Sequence, residues 1–298
     1  MPKQKKLANF KLAGAKEFNA KRKLKWRYAI AEDKFDGLRL VVIVRSGVAK
    51  AYTRNGCKVI NAKYICREIE KSGIENLFID GEGVCFPDWN KSASVIKTLK
   101  PHKDAKQLEL RAFDCLTLSE WDRKKCTMPL CARKQRLKEL IEGYRLIRTK
   151  YVSHEKLEST PDQFEAFVKA RVKQKKEGGV FKDPDSMYAF KKSSDWLKLK
   201  PVKELDAKII DVKWGNKGKT GQMLGLIGSI ECKGKIGNKK VTFNSSGMSM
   251  HLRKKMTRMH RKGKLIGKIV EVHYDCITVH NKIRFPRFER LRIDKDKS

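Results

Sequence analysis

The sequence predicts an α+β protein whose C-terminal part is smaller and richer in strands. Three observations carry that prediction. Up to about residue 200, strand-like and helix-like segments mix without any βαβ regularity. After Pro201, short strands separated by glycines dominate, with one basic helix-like stretch among them. Hydrophobic residues make up 40% of 298 positions, enough for a sizeable core.

Taken in chain order, residues 1–25 are basic and poorly periodic and fit a short helix or a mobile arm. Residues 38–53, L-R-L-V-V-I-V and V-A-K-A-Y-T around Ser46-Gly47, read as a hairpin. Residues 63–72 suit a helix closed by Gly73. Residues 77–86 read as a strand with charge near its middle, and 108–114 as another ending at Asp114. A helix over about 132–142 ends at Gly143, and 145–152 is strand-like. Thr160-Pro161-Asp162-Gln163 starts a helix with an N-cap, a proline at its first position and a capping box. Its apolar face is Phe164, Phe167 and Val168, and Gly178-Gly179 ends it. Beyond Pro201, strands at 207–214, 224–232, 239–243 and 267–274 plus the stretch H-L-R-K-K-M-T-R-M-H suggest a small barrel. The oligonucleotide-binding (OB) fold is its natural candidate.

The 70 Lys and Arg against 34 Asp and Glu give a formal charge of +36, an excess that calls for a polyanionic partner, nucleic acid first. No long basic amphipathic helix supports a membrane surface, no apolar stretch has transmembrane length, and the N-terminus has no signal-like apolar region. The eight cysteines are scattered without C-x-x-C, which points to core residues in a reducing, cytoplasmic setting. The six histidines do not cluster at metal-ligand spacing.

Charged residues interrupt otherwise apolar strands, where burial of charge is expensive. Lys34-Phe35-Asp36-Gly37-Leu38-Arg39 precedes a strand. Arg54-Asn55-Gly56 follows a hairpin strand, and Asp80-Gly81-Glu82 interrupts L-F-I…V-C-F. Asp114 lies in A-F-D-C-L, Glu177 precedes Gly-Gly-Val-Phe-Lys182, and Lys198 and Lys200 alternate with leucines on one side of a strand. Each segment alone reads as well as a turn, a cap or a solvated face. Their joint order is the signal.

In that order the segments resemble the motifs of the ATP-dependent DNA ligases, within the covalent nucleotidyltransferase superfamily. Arg284-Phe285-Pro286-Arg287-Phe288 and Arg290-Leu291-Arg292-Ile293-Asp294-Lys295 resemble the last motif of DNA ligases. The length resembles the minimal bacteriophage enzymes. The resemblance implies an adenylation domain over 1–202, ATP-grasp-like and built of antiparallel sheets and helices, and an OB-fold DNA-binding domain over 203–298. The resemblance leads one to expect no separate N-terminal DNA-binding domain, and the scattered cysteines form no four-cysteine cluster like that of NAD-dependent ligases. Gly179 stands where relatives usually carry an aliphatic residue.

By the same resemblance Lys34 is the nucleophile that takes AMP from ATP. Lys198, Lys200 and Arg39 are the cations that favour its free amine and neutralise phosphoryl charge. Arg54 contacts ribose, Phe113 stacks on adenine, and Glu32 with the backbone at Asp33 reads the base edge. Glu82 and Glu177 support Mg²⁺, and Asp36 braces the turn or supports metal. Arg292, Asp294 and Lys295 contact leaving pyrophosphate, and Pro201–Asp206 is a hinge. The implied partner is nicked double-stranded DNA, bound by a monomer, with residues 213–221 and 251–262 as basic surfaces. The alternatives are an RNA ligase or a GTP-using capping-type enzyme, and a non-catalytic basic DNA binder.

Overall fold

The structure is a computed structural model and describes residues 6–215, 224–277 and 282–292. It divides into two compact units, Met1–Lys200 and Pro201–Ser298.

The first unit contains two five-stranded sheets. One runs, in spatial order, Gly14–Glu17 (β1), Lys192–Leu199 (β10), Gly178–Lys182 (β9), Ala29–Lys34 (β2) and His154–Leu157 (β8). The other runs Val48–Thr53 (β4), Leu38–Arg45 (β3), Leu77–Val84 (β5), Glu109–Thr117 (β6) and Thr149–Tyr151 (β7). Pairing is antiparallel except at β1–β10 and β6–β7, where an edge strand joins parallel. The helices are Lys63–Lys71 (α1), Trp89–Lys97 (α2), Leu118–Arg123 (α3), Leu130–Gly143 (α4) and Pro161–Lys173 (α5).

β3 explains the layering. Its run L-V-V-I-V is buried on both faces, as a central strand covered on both sides must be. Leu40, Val42 and Val44 pack with Ile65 and Ile69 of α1 and Leu137 and Ile141 of α4. Val41 and Ile43 point the other way, into an aromatic cluster with Phe78, Trp121, Tyr188 and Trp196. α5 covers the first sheet through Phe164, Phe167 and Val168, which meet Phe181 of β9.

Several sequence-based boundaries change. The basic N-terminal stretch is neither helix nor free arm where it is described, since β1 pairs with β10. Asp114 does not end its strand but lies within β6, buried and paired with Arg133. Thr160 caps α5 as expected, accepting from the Gln163 amide, whereas a reciprocal capping box forms at Thr117 and Glu120 of α3. α5 ends at Lys173, followed by Lys175 in a left-handed conformation, and Gly178-Gly179 opens β9 instead. Gly179 has a steric reason to lack a side chain: a Cβ there would sit 2.8 Å from Phe181 and 3.0 Å from Phe167. Two phenylalanines already fill the space an aliphatic side chain would take.

The second unit is a five-stranded sheet of Lys239–Ser245 (β13), Ile227–Ile236 (β12), Lys203–Trp214 (β11), Ile269–Tyr274 (β14) and Arg287–Leu291 (β17), with the pair Cys276–Ile277 (β15) and Ile283–Arg284 (β16). A bridge between Ser246 and Arg287, with the Phe288 amide donating to the Ser246 carbonyl, joins the two edges and curls the sheet into a barrel. Met250–Arg261 (α6) packs Met256 into its core. Lys203–Asp206 of the expected hinge belong to β11 and pair with β14, leaving Pro201 and Val202 outside strands. His273 gathers with Glu204, Glu271 and Glu289. Glu271 there also pairs with Arg290 and Arg292, so this is an ion-pair hub. Arg292 pairs with Asp206 as well. Asp294, Lys295 and most of the basic segment 213–221 lie outside the described residues.

Candidate active site

The facing sheets of the first unit enclose a cavity of about 590 Å³. Its wall is assembled from segments far apart in sequence, and its chemistry falls into two ends.

One end surrounds Lys34, the last residue of β2, which pairs with Gly178 of β9. Strand alternation puts Glu32 and Lys34 on one face and turns Asp33 to the other, where it binds Arg171 and Lys176 at 2.6 Å each. Asp33 therefore offers the cavity its backbone, as the sequence suggests. The Lys34 Nζ sits 2.6 Å from Glu177 Oε2, and Lys200 Nζ lies 3.9 Å from the other oxygen of Glu177. Lys198 lines the cavity and pairs at 2.9 Å with Glu17, an exposed residue of β1. Arg54 lines it from the turn after β4.

Glycine at position 37 is a packing requirement. β3 begins against β5 with Leu38 opposite Gly83 and Arg39 opposite Glu82, and a Cβ at Gly37 would fall 2.4 Å from the Gly83 carbonyl and 2.9 Å from Glu82 Cγ. The glycine thus lets the loop after Lys34 lie directly on the strand that carries Glu82.

Arg39 is placed differently from a free phosphate-binding cation. Its guanidinium donates to both oxygens of Asp80 at 2.5 Å and to the Ala13 carbonyl at 3.0 Å. It lies 4.7 Å over the Phe113 ring, and the pairing holds its proton more tightly than usual. Asp80 also accepts from the Tyr188 hydroxyl. Arg39 lines the cavity with its charge already balanced.

Phe113 owes its position to a β-bulge. The β5–β6 register steps from Asp80 opposite Asp114 to Gly81 opposite Ala112, so Phe113 is the extra residue. A bulge re-aims a side chain, and here the ring meets the cavity beside Trp196, edge to face at 5.9 Å. Asp114, next in sequence, is locked by a fully buried bidentate pair with Arg133 at 2.8 and 2.9 Å.

The other end is built around Glu32, which is 2% exposed. Its two oxygens face two buried ammonium groups: Lys134 of α4 at 2.5 Å and Lys182 of β9 at 2.6 Å. Burial pushes the Glu32 carboxyl up, but the two lysines outweigh it and hold it below its ordinary value. Lys134 also donates to the Val152 carbonyl at 2.7 Å. Lys182 makes no aligned hydrogen bond, lines the cavity, and lies 4.4 Å from the Phe113 ring and 4.3 Å from the Trp196 ring. Burial pushes its ammonium down.

Glu82 stands on the opposite wall from Glu32, in β5. Burial pushes it up to about 7. Arg39 and Lys34 pull it down, and Glu177 and Asp80 push it further up. The sequence reading had no role for Lys134 or Lys182. Lys134 carried a signal: positions 130, 133, 134, 137 and 141 are one helical face, so Arg133 and Lys134 occupy core positions of α4.

Both units match families of known proteins. The ATP-dependent DNA ligase domain family matches residues 12–200, and the DNA ligase OB-like domain family matches 217–292. The DNA ligase of Archaeoglobus fulgidus is 28% identical over 300 residues, covering 91% of this chain and 52% of its own length. The probable DNA ligase of Streptomyces coelicolor is 25% identical over 294 residues, covering 90% and 56%. The chain spans about half the length of the curated relatives it matches first. Among solved structures, Pmar-Lig_PreS3 superposes with a TM-score of 0.82 at 26% identity, over 95% of this chain and 68% of that one. A Lig E DNA ligase, described as binding DNA with a minimal scaffold, shares the fold at a TM-score of 0.74 and 21% identity, over 95% and 99%.

Proposed function

The chain belongs to the ATP-dependent DNA ligase family, and from that premise we propose that it seals nicks in duplex DNA, using ATP, through an adenylate carried on Lys34. One observation carries the reading. An amine at the end of a strand lies 2.6 Å from a carboxylate, in a cavity whose other end presents an aromatic ring and a buried hydrogen-bonding glutamate.

In the first step the Lys34 nitrogen attacks the α-phosphorus of ATP. An N–P bond forms, the bond to the bridging oxygen breaks, and pyrophosphate leaves. The nitrogen must shed a proton first, and Glu177 Oε2 is the acceptor within reach. The 5′-phosphate oxygen at a nick then attacks the same phosphorus, and the N–P bond breaks. The 3′-hydroxyl finally displaces AMP, closing the strand. Lys198 and Lys200 supply positive charge for the phosphoryl oxygens, Arg54 the ribose contact, Phe113 the stacking face, and Glu32 with Lys182 the base edge. Arg39 acts by bracing Phe113 and Asp80.

Glu82 and Glu177 would hold Mg²⁺. The donor set fits a hard cation, since Glu82 and Glu177 are two oxygen-donor acids in one field and a divalent cation would relieve their mutual repulsion. When bound, the metal supplies charge neutralisation to the triphosphate.

The net charge of +36 suits a polyphosphate partner, and the barrel with α6 is the surface we assign to duplex DNA. No helix among the described residues is long and apolar enough to cross a membrane. The seven described cysteines are all free, which supports action in the reducing cytoplasm, and we take the acting species to be a monomer.

Sealing of a 5′-phosphorylated nick with ATP and Mg²⁺, with Lys34→Ala alongside, tests the proposal. Ligation by the parent and none by the variant supports it. A covalent guanylate formed from α-labelled GTP, with no adenylate from ATP, would replace it with the capping-type alternative.

A further inference from the structure

We propose that Lys134, a helix residue with no part in the chemistry, is the positioning residue that makes the cavity select adenine: it fixes the Glu32 carboxylate so that one free lone pair faces the exocyclic amino group of the base. This rests on reading the cavity as an ATP site.

The three charged groups come from three elements, β2, α4 and β9, and all are essentially out of water. One lysine would neutralise Glu32. The second lysine places a further buried cation beside the same carboxylate. The two lysines differ in how they are held. Lys182 pairs with Glu32 Oε2 at 2.6 Å and faces the cavity. Lys134 is fixed at both ends of its reach. It donates to Glu32 Oε1 at 2.5 Å and to the Val152 carbonyl at 2.7 Å, and lies 4.3 Å over the Tyr151 ring. Val152 itself lines the cavity. Lys134 therefore ties the base-reading carboxylate to the neighbouring wall and sets which way its oxygens point.

A carboxylate offers about four acceptor sites. The lysines occupy one on each oxygen, and the remaining sites can accept only from a donor. Adenine presents an amino group there, whereas hypoxanthine presents a carbonyl oxygen. Fixing Glu32 turns this chemical difference into discrimination, because a carboxylate free to rotate could turn away from the carbonyl.

The experiment measures Lys34 adenylylation as a function of ATP and, separately, of inosine triphosphate, for the parent, Lys134→Met and Lys134→Arg. Lys134→Met keeps the Glu32–Lys182 pair, so no charge is stranded. We expect its KM for ATP to rise about tenfold, the worth of one well-oriented hydrogen bond. Its maximal rate should change far less, and its preference for ATP over inosine triphosphate should fall by a similar factor. Lys134→Arg should restore most of both. A Lys134→Met protein of lowered melting temperature but parental KM and parental preference would overturn the positioning role while leaving the ATP site intact. A parent that takes up no nucleotide at Lys34 would instead bring down the ATP reading, and this inference with it. Should Lys134→Met prove insoluble, Lys134→Leu answers the same question.

Discussion

Glu32 and Glu82 stand on facing walls of one cavity, and the protein treats them in opposite ways. Glu32 is held by two lysines and kept ionised. Glu82 lies near Arg39 and Lys34, but Arg39 is bonded to Asp80 and Lys34 to Glu177. It feels their fields without holding either cation, and burial pushes it up to about 7. The base end is thus a finished structure, its charges satisfied by the fold. The phosphate end is unfinished, and what completes it is brought by the substrate and its metal. Pre-formed recognition beside adjustable chemistry is what a site needs if it must hold one nucleotide and then pass part of it on.

The comparison breaks most readily at Lys34. Lys34→Ala should abolish the covalent adenylate and all sealing, by mass spectrometry and by gel. If the base end is finished without the nucleophile, equilibrium affinity for ATP in the same variant should fall by no more than about tenfold. A complete loss of binding would mean that the two ends are not separable.

Glu32→Gln probes the finished end. It removes the anion between two buried ammonium groups, a change that costs about 3–5 kcal/mol when one partner of a buried pair is lost. Lys182, already pushed down by burial, can relieve part of this by losing its proton. Chemical denaturation should show the loss directly. Glu82→Gln should cost no stability at neutral pH while impairing adenylylation. Equal destabilisation by the two variants would remove the distinction between the ends.

Gly179→Ala tests the strand that joins them, since β9 begins one residue after Glu177 and ends at Lys182. The added methyl must displace Phe167 or Phe181. Overpacking of this kind costs about 1–3 kcal/mol, read as a lower melting temperature with a raised KM for ATP.

How much of this was legible in the sequence follows from the kind of signal each feature leaves. Glu82 breaks an apolar strand with charge, while Lys34 and Glu177 stand at strand ends beside glycine-containing segments, and such placements show in a single chain. The hairpin has a dense apolar run and α5 a capped start, and with α4 they stand close to where the sequence puts them. The β1–β10 pairing was hidden because it joins residues far apart in a basic segment without alternation. The bulge at Phe113 depends on register, which no local pattern encodes. That Arg39 is tied to Asp80 leaves no local mark, because the two lie 41 positions apart. Lys134 was lost among the lysines and arginines of a basic helix, although its place on the apolar face marked it.

The last effect is a slope rather than a loss, and it belongs to Glu82. Its folded value, about 7, lies above the unperturbed 4.5. Between those values the native state keeps a proton that the unfolded chain has released, so the group favours the fold fully below about 4.5 and loses that contribution as pH rises through 7. The parent's melting temperature should therefore decline from about pH 5 to about pH 8 more than that of Glu82→Gln, which has no proton to lose. Glu32 has the opposite sign. Its lowered value makes its contribution present above the ordinary carboxylate range and lost only in acid, so it leaves this window flat. A hard cation favours ionised Glu82, and Mg²⁺ should raise the melting temperature more at the alkaline end of the window than at the acid end. Parallel curves for parent and variant, with and without Mg²⁺, would show that Glu82 is already compensated by the fold, as Glu32 is.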